Sequence, residues 1–470
     1  MSKRYWIETW GCQMNEHDSE KMAGVLSGLG YEPADGRTDA DVVLLNTCAI
    51  REKAEDKVYQ ALGALKRVKD DRPEMIIGVC GCVAQMAGEG IRRRAPFVDL
   101  VIGPRAVSRL PDLLGRLADE RGIVDTTLYQ DSILAGDQPV RRSPSRVKAY
   151  VTIMEGCNKT CAYCVVPATR GREVSRPLAS VVHEIAGLAR DGFLEIELLG
   201  QNVNAYRCPD TRAGLADLLR AAGRAEGLRR IRFTTSHPLH LRKPIIAAMA
   251  EVPEVCNHLH LPFQSGSSRI LRLMRRGYDR GGYLEKIRQL RAAIPEISVS
   301  TDVIVGFPGE TESDFEETLS LAGEVGFDQM FSFIYSPRPG TEAAMAYDGV
   351  PHEMKVARLM ELQAMQREIQ LERNLRLVGR RVEVLVEGRS RRDPGEWAGR
   401  TTTNRVVNFP SGRAQVGELA EVRVTEAGPN SLRGEPLDRS RRETPRRMAH
   451  AGAESPSVAS SGAAARTATS

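Results

Sequence analysis

The sequence predicts an α/β protein built from three modules and a tail, and three observations carry that reading. Near-continuous apolar runs alternate with helical stretches through the first hundred or so residues, the pattern of a parallel sheet covered on both faces. The rhythm resumes at Val147 and repeats six times, too few units to close an eight-stranded barrel. From about Gly379 it gives way to alternating strands separated by Gly and Pro, the pattern of a small antiparallel barrel. We therefore expect an N-terminal parallel α/β domain over residues 1–120 and an open six-stranded partial (β/α)6 barrel over 143–377. A small antiparallel β-barrel is expected over 378–440, and a disordered tail over 441–470, where Arg/Ser/Pro and then Ala/Ser/Gly/Thr run without periodicity.

Bulk properties agree. A chain of 470 residues exceeds what one core normally serves, and 41% hydrophobic with 27% charged residues is a globular balance. No apolar run approaches the roughly 20 residues that span a bilayer. Met1 to Thr9 enters an alternating strand without a signal peptide's apolar stretch. No membrane partner and a cytoplasmic location are the expectation. Nine cysteines in such a chain argue for metal or redox chemistry rather than disulfides.

In the first module, Lys3–Thr9 reads as a strand ending at Gly11-Cys12, followed by a helix from about Glu16 to Leu29. Asp41–Leu45 ends at Asn46-Thr47-Cys48 and is followed by a helix from about Glu52 to Lys69. Met75–Val79 ends at Gly81-Cys82, with a helical stretch to about Arg94; Asp99–Gly103 is a fourth strand and Val107–Leu117 a closing helix. Ligands of such sheets sit beyond the carboxyl ends of the strands. Cys12, Cys48 and Cys82 all lie at that edge, so topology should bring them together. Cys80 reads instead as a small buried hydrophobe.

The central strands are expected at Val147–Met154, Glu195–Leu199, Arg230–Thr234, His258–Pro262, Ser298–Val305 and Gln329–Tyr335, with a last helix from about His352 to Leu377. The first ends in Cys157-Asn-Lys-Thr-Cys161-Ala-Tyr-Cys164, three thiols too close to share one strand or helix face. Crowded thiolates on a loop suit a soft metal centre. Zinc normally takes four protein ligands and no fourth is near, whereas an iron–sulfur cluster on three thiolates leaves one iron open. Five other strand ends carry Gly, amide and hydroxyl residues, as in Gly200-Gln201-Asn202, Thr235-Ser-His237, Gln264-Ser265, Gly306 and Arg338. Shared along one edge, they read as a binding site for a ribose, an adenine or an amino acid. His237 is a weak candidate for a base, since no carboxylate partner is evident, and a positioning role is the more natural reading. His258 and His260 read as structural, and Cys208 and Cys256 as non-ligands.

In the third module Val382–Glu387, Trp397–Val407 and Glu418–Thr425 read as strands. Arg380, Arg381, Arg389, Arg391, Arg392, Arg400 and Arg405 make it a candidate phosphate-contacting surface, the plainer reading being a solubilising face. A small basic barrel suits looped RNA, or alternatively packing or dimerisation.

The C-x3-C-x2-C loop resembles the signature of the radical S-adenosylmethionine (SAM) enzymes. With Thr9-Trp-Gly-Cys-Gln-Met-Asn15, Asn46-Thr-Cys-Ala-Ile-Arg51, Gly81-Cys-Val-Ala-Gln85 and the stretch from Cys157 to Arg172-Glu173, the chain is similar to the methylthiotransferases, over nearly its whole length except the tail. Departures at Trp10, Thr160, Ala168 and Ala205 touch no cysteine. The resemblance implies a [4Fe–4S] cluster on Cys157, Cys161 and Cys164 whose open iron binds SAM. It implies a second, sulfur-bearing [4Fe–4S] cluster on Cys12, Cys48 and Cys82, a barrel of radical SAM type, and an RNA-binding TRAM domain. Gln13-Met14-Asn15, Gly200-Gln-Asn-Val-Asn204 and Thr235-Ser-His-Pro238 resemble the tRNA branch, which adds a methylthio group at C2 of a prenylated adenosine beside the anticodon. SAM would serve as radical source and methyl donor. An electron donor such as flavodoxin or ferredoxin and a sulfur or cluster donor are implied partners. The rivals are the same chemistry on a threonylcarbamoylated adenosine or a ribosomal protein, and a non-catalytic iron–sulfur RNA-binding protein.

Overall fold

The computed structural model describes residues 2–49, 52–130, 140–142, 147–346, 348–412 and 414–437. The expected tail and part of the first linker lie outside them. The N-terminal sheet is parallel throughout: β1 Arg4–Trp10, β2 Glu32–Pro33, β3 Val42–Thr47, β4 Ile76–Gly81, β5 Leu100–Ile102 and β6 Ile123–Asp125, in the order β2-β1-β3-β4-β5-β6. β3 is buried along its whole length, which is why its sequence runs apolar without alternation. Sequence patterning gave four of these strands. It misses β2 and β6 because each adds only two or three residues at an edge. Pro33, which has no N–H to donate, is suited to such a place.

The central module begins with β7 Lys148–Thr152; the chain then leaves the sheet as β8 Met154–Glu155, which pairs with β9 Val174–Ser175. β10 Glu195–Leu199, β11 Arg230–Phe233, β12 His258–His260, β13 Ser298–Val305 and β14 Gln329–Ile334 follow. They form two parallel ladders, β7-β10-β11 and β12-β13-β14. The residues before β12 join them: Ile231 N–H donates to Glu254 O at 2.7 Å, and Cys256 N–H to Ile231 O at 3.0 Å. Ile196, Leu198, Ile231, Phe233, Leu259, Val299 and Val303 face outward, buried beneath the helices. The alternate positions face a polar interior, with Lys148 on Glu197 at 2.8 Å and Arg232 on Glu195 at 2.9 Å. β14 is a free edge.

The third module is a closed barrel of β15 Arg381–Arg389, β16 Glu396–Thr401, β17 Val406–Pro410, β18 Leu419–Ala427 and β19 Leu432–Pro436, in the order β15-β16-β17-β19-β18. The single strand expected over Trp397–Val407 is two strands, turned by Thr402–Arg405 with Asn404 at φ 63°. Asn tolerates that left-handed conformation better than most residues. All ladders are antiparallel except β17 with β19.

This barrel is bolted beneath the central one. Arg230, 1% exposed, donates to Arg400 O at 2.8 Å and to Glu383 O at 3.1 Å, while Arg232 donates to Thr401 O at 2.6 Å and Thr402 O at 3.1 Å. Arg405 binds Asp328 and Asn374, and Arg400 pairs with Glu387 at 3.3 Å. These two arginines are therefore structural rather than part of an open phosphate surface. Arg381, Arg389, Arg391 and Arg392 remain exposed.

Candidate cluster sites

The first set of thiols is assembled by the N-terminal sheet. β1 and β3 pair Trp10 with Thr47, and β3 and β4 pair Thr47 with Gly81, so the three strands end level. Cys12, Cys48 and Cys82 follow those ends directly, and Cys48 N–H donates to Trp10 O at 3.0 Å. The flanking residues interlock. Asn46 Nδ2 donates to Asn15 O and Ser19 Oγ, both at 2.8 Å. Gly81 has φ 88°, and a Cβ there would fall 2.3 Å from Asn46 Oδ1; one at Gly11 would fall 2.4 Å from Asn15 Oδ1. The glycines beside Cys12 and Cys82 are thus required by close approach.

Cys157, Cys161 and Cys164 occupy the loop after β8. Gly156, at φ 78° with Arg172 O only 2.2 Å from where a Cβ would lie, turns the chain into it. Two donors point at the sulfurs: Arg276 Nη1 lies 3.3 Å from Cys161 Sγ, and Lys159 N–H 3.5 Å from Cys157 Sγ. Donors of this kind tune and orient cluster thiolates. Burial pushes the Cys164 thiol up to about 12 and raises Cys157, whereas Cys12 is held down to about 6 by the Cys48 thiol and, against burial, by the charge of Arg170. Binding of a cluster by these thiols would therefore displace protons.

The two sets are joined by a buried ion network. Arg170 ends the helix Val166–Arg170 that follows the loop, and binds Asp18 at 2.6 Å with Glu155 at 3.9 Å. Its charge also acts on Cys82, whose thiol burial otherwise raises. The helix Cys82–Ala87 packs against Val166–Arg170, so each set of thiols is one short helix away from the other. Among the described residues no three His, Cys, Asp or Glu side chains share the shell of a single ion. A cubane cluster makes a different demand, one thiolate on each of three irons, and the three-thiol donor sets with their N–H donors fit it.

Comparison with known proteins agrees. Residues 4–103 match the uncharacterized protein family UPF0004, residues 151–322 the radical SAM superfamily, and residues 375–437 the TRAM domain. The chain is 49% identical over 443 residues to the tRNA-2-methylthio-N(6)-dimethylallyladenosine synthase of Pseudoalteromonas translucida, covering 93% of this chain and 91% of that one. It is 50% identical over 443 residues to the protein of the same name from Alkalilimnicola ehrlichii, covering 93% and 98%. The chain belongs to the methylthiotransferase family of radical SAM enzymes. Among solved structures it is similar to the radical SAM methyltransferase TsrM from Kitasatospora setae, with a TM-score of 0.56 at 15% identity over 73% of this chain and 77% of that one, a likeness of fold.

The cofactors of this methylthiotransferase are SAM and two [4Fe–4S] clusters. The residues expected near SAM are placed unevenly. Gln201 Oε1 accepts the Gly156 N–H at the mouth of the loop, and Gly200 lies so close to β8 that a Cβ would fall 2.6 Å from Met154 Cγ. Asn202 is 3.0 Å from His240 Nδ1. Gln264, at φ 67°, sits in the backbone between Asp302 and Ile304. The Ser265 hydroxyl is fully buried, 3.4 Å from Thr318 Oγ1, facing into protein. Gly306 N–H donates to Glu310 at 2.7 Å, and Arg338 is half-buried with its carbonyl taken by Thr341.

His237 is buried, and burial together with the charge of Arg276 lowers it to about 2. Its Nδ1 accepts the Leu239 N–H at 3.2 Å, which assigns the ring proton to Nε2, a buried atom without a protein partner. The ring is a neutral donor rather than a base. Cys80, Cys208 and Cys256 are buried; burial pushes Cys256 up to about 11, and Cys208 accepts the Leu178 N–H at 3.3 Å. Sequence reasoning missed Arg170, Asp18 and Arg276, which have no spacing signal because Arg170 and Asp18 meet across two modules and Arg276 reaches Cys161 from 115 residues away in the chain. It also missed the lumen role of Gln13, whose Nε2 donates to Glu197 at 2.6 Å and whose Oε1 accepts from Thr234 at 3.3 Å. His260, read as structural, faces the same lumen, 3.3 Å from Asp302.

Proposed function

We propose that this chain is a tRNA-2-methylthio-N(6)-dimethylallyladenosine synthase, installing a methylthio group at C2 of the prenylated adenosine beside the anticodon. One observation carries this reading: a second set of three thiols, at the ends of β1, β3 and β4, is tied through Arg170 to the radical SAM loop. The C2–H of an adenine is neither acidic nor a leaving group, so side-chain acid/base catalysis has no purchase on it. The clusters and SAM supply the one-electron and sulfur chemistry when bound.

The protein's part is placement. Cys157, Cys161 and Cys164 hold one cluster and Cys12, Cys48 and Cys82 the other. Arg276 orients Cys161, and the Nε2–H of His237 is available to the SAM side of the loop. Gly200, Gln201, Asn202, Gln264, Gly306 and Arg338 frame the SAM site, with Ser265 supporting the turn from behind. The helix Gln13–Gly28 covers the β7 side of the lumen, with Tyr150 OH donating to Glu16 at 3.2 Å. The small barrel closes the floor, so the lateral mouth left for an extruded base runs along β14. The exposed arginines of the small barrel grip the RNA backbone. The modules divide at about 1–120, 143–377 and 378–440. A flavodoxin or ferredoxin supplies electrons and a separate donor restores sulfur or cluster. No helix among the described residues is long and apolar enough to cross a membrane, in keeping with a cytoplasmic site of action.

Nucleoside mass spectrometry of tRNA from a deletion strain tests the reading. The methylthio group should vanish from the prenylated adenosine and return with the intact gene. An unaltered prenylated nucleoside, with loss on threonylcarbamoyladenosine or a ribosomal protein instead, overturns it.

A further inference from the structure

We infer that Phe331 and Phe333 form the wall that recognises the dimethylallyl chain of the target adenosine, an inference resting on the reaction proposed above. Both are strongly exposed, at 43% and 49%, and among the described residues they are the aromatic members of the exposed large apolar set. They alternate on β14, so they share one face. The intervening Ser332 accepts from Gln363 Nε2 at 3.2 Å on the covering helix His352–Leu375, which turns Phe331 and Phe333 toward the lumen. Contiguous exposed apolar surface rimmed by polar groups marks an interaction site or a ligand groove.

Register fixes where the wall runs. Phe333 pairs with Ile304, and Ile304 packs against the buried cluster that includes Ala162 of the cysteine loop. One row below, Phe331 pairs with Asp302 and meets the edge of His260 at 6.1 Å between centroids. The wall therefore descends from the cluster loop into the lumen. C2 and the exocyclic N6 occupy different edges of a purine, so a base presenting C2 to the loop sends its N6 substituent away from it, along this wall. A branched hydrocarbon chain is stabilised there by displacing water from two rings. A threonylcarbamoyl chain would instead bring a carboxylate onto apolar surface beside Asp302, losing solvation and meeting like charge.

The test compares fluorescent anticodon stem-loop RNAs carrying either dimethylallyladenosine or plain adenosine, bound to the cluster-loaded full-length enzyme. The wild type should prefer the prenylated RNA by roughly tenfold or more. Phe331→Ser/Phe333→Ser should bring that ratio close to unity while leaving affinity for the plain RNA unchanged, and Phe331→Leu/Phe333→Leu should keep most of the preference. An unchanged ratio in the serine variant overturns the inference, as does equal loss of both RNAs, which would mean that the rings stack a base. A wild type with no preference overturns it too. Methylthiolated product measured with the wild type in the same samples reports separately on the reaction, so failure of the wall and failure of the proposed activity are distinguishable.

Discussion

The two sets of cysteines are made in opposite ways. Cys157, Cys161 and Cys164 come from one loop, and their proximity is written into eight consecutive residues. Cys12, Cys48 and Cys82 come from three strands and meet because β1, β3 and β4 end level. A loop can hold its thiols whatever the rest of the chain does. A sheet edge holds them only while the sheet is intact, so the second site reports on folding in a way the first does not.

That contrast can be broken most sharply at Cys161. Cys161→Ala should abolish reductive SAM cleavage altogether, read as 5′-deoxyadenosine under anaerobic conditions, while tRNA binding persists. Cys48→Ala should lose methylthiolation just as fully yet retain part of the 5′-deoxyadenosine signal; equal retention of both activities would remove the second site from the chemistry. Arg170→Met leaves Asp18 buried without its partner and should destabilise the protein by about 3–5 kcal/mol, measured by denaturant unfolding. Its iron loss should fall mainly on the sheet-edge site.

A smaller effect is expected from His237. Its folded-state pKa lies far below the ordinary histidine value near 6.5, so the unfolded chain binds the proton more readily. The stability this contributes is present above about pH 6.5 and declines as pH falls below it, by at most about 1.4 kcal/mol per pH unit. His237→Asn should flatten that slope between about pH 6 and 4. Least of all, Cys208→Ala should leave iron content and sulfur transfer unchanged, since that thiol is hydrogen-bonded to neighbouring groups such as the Leu178 N–H and belongs to neither set of three.

What the sequence made legible follows the same division. Loop cysteines and strand-end cysteines could be read, because spacing and topology are properties of the chain. Glu195–Leu199 and Ser298–Val305 are found at the residues their patterns suggest. Asn404 turned the chain where neither Gly nor Pro announces it. Arg170, Arg276 and Gln13 were invisible for a different reason: Arg170 and Gln13 act across a module boundary, on Asp18 and Glu197, and Arg276 reaches Cys161 from 115 residues further along the same module. The polar lumen was equally hidden, since Lys148, Glu195, Glu197 and Arg232 look like ordinary solvated positions until the barrel curves around them.

The clamp made by Arg230 and Arg232 has a consequence for the RNA. Because it locks the small barrel to the floor of the large one through backbone carbonyls, the span from RNA grip to cluster loop is a fixed gauge. The enzyme cannot stretch to its target; the nucleic acid must comply. A loop that can swing one base outward satisfies that gauge, and a stiff duplex carrying the same adenosine does not. Selection among RNAs then begins with mechanical compliance, before any atom of the base is read.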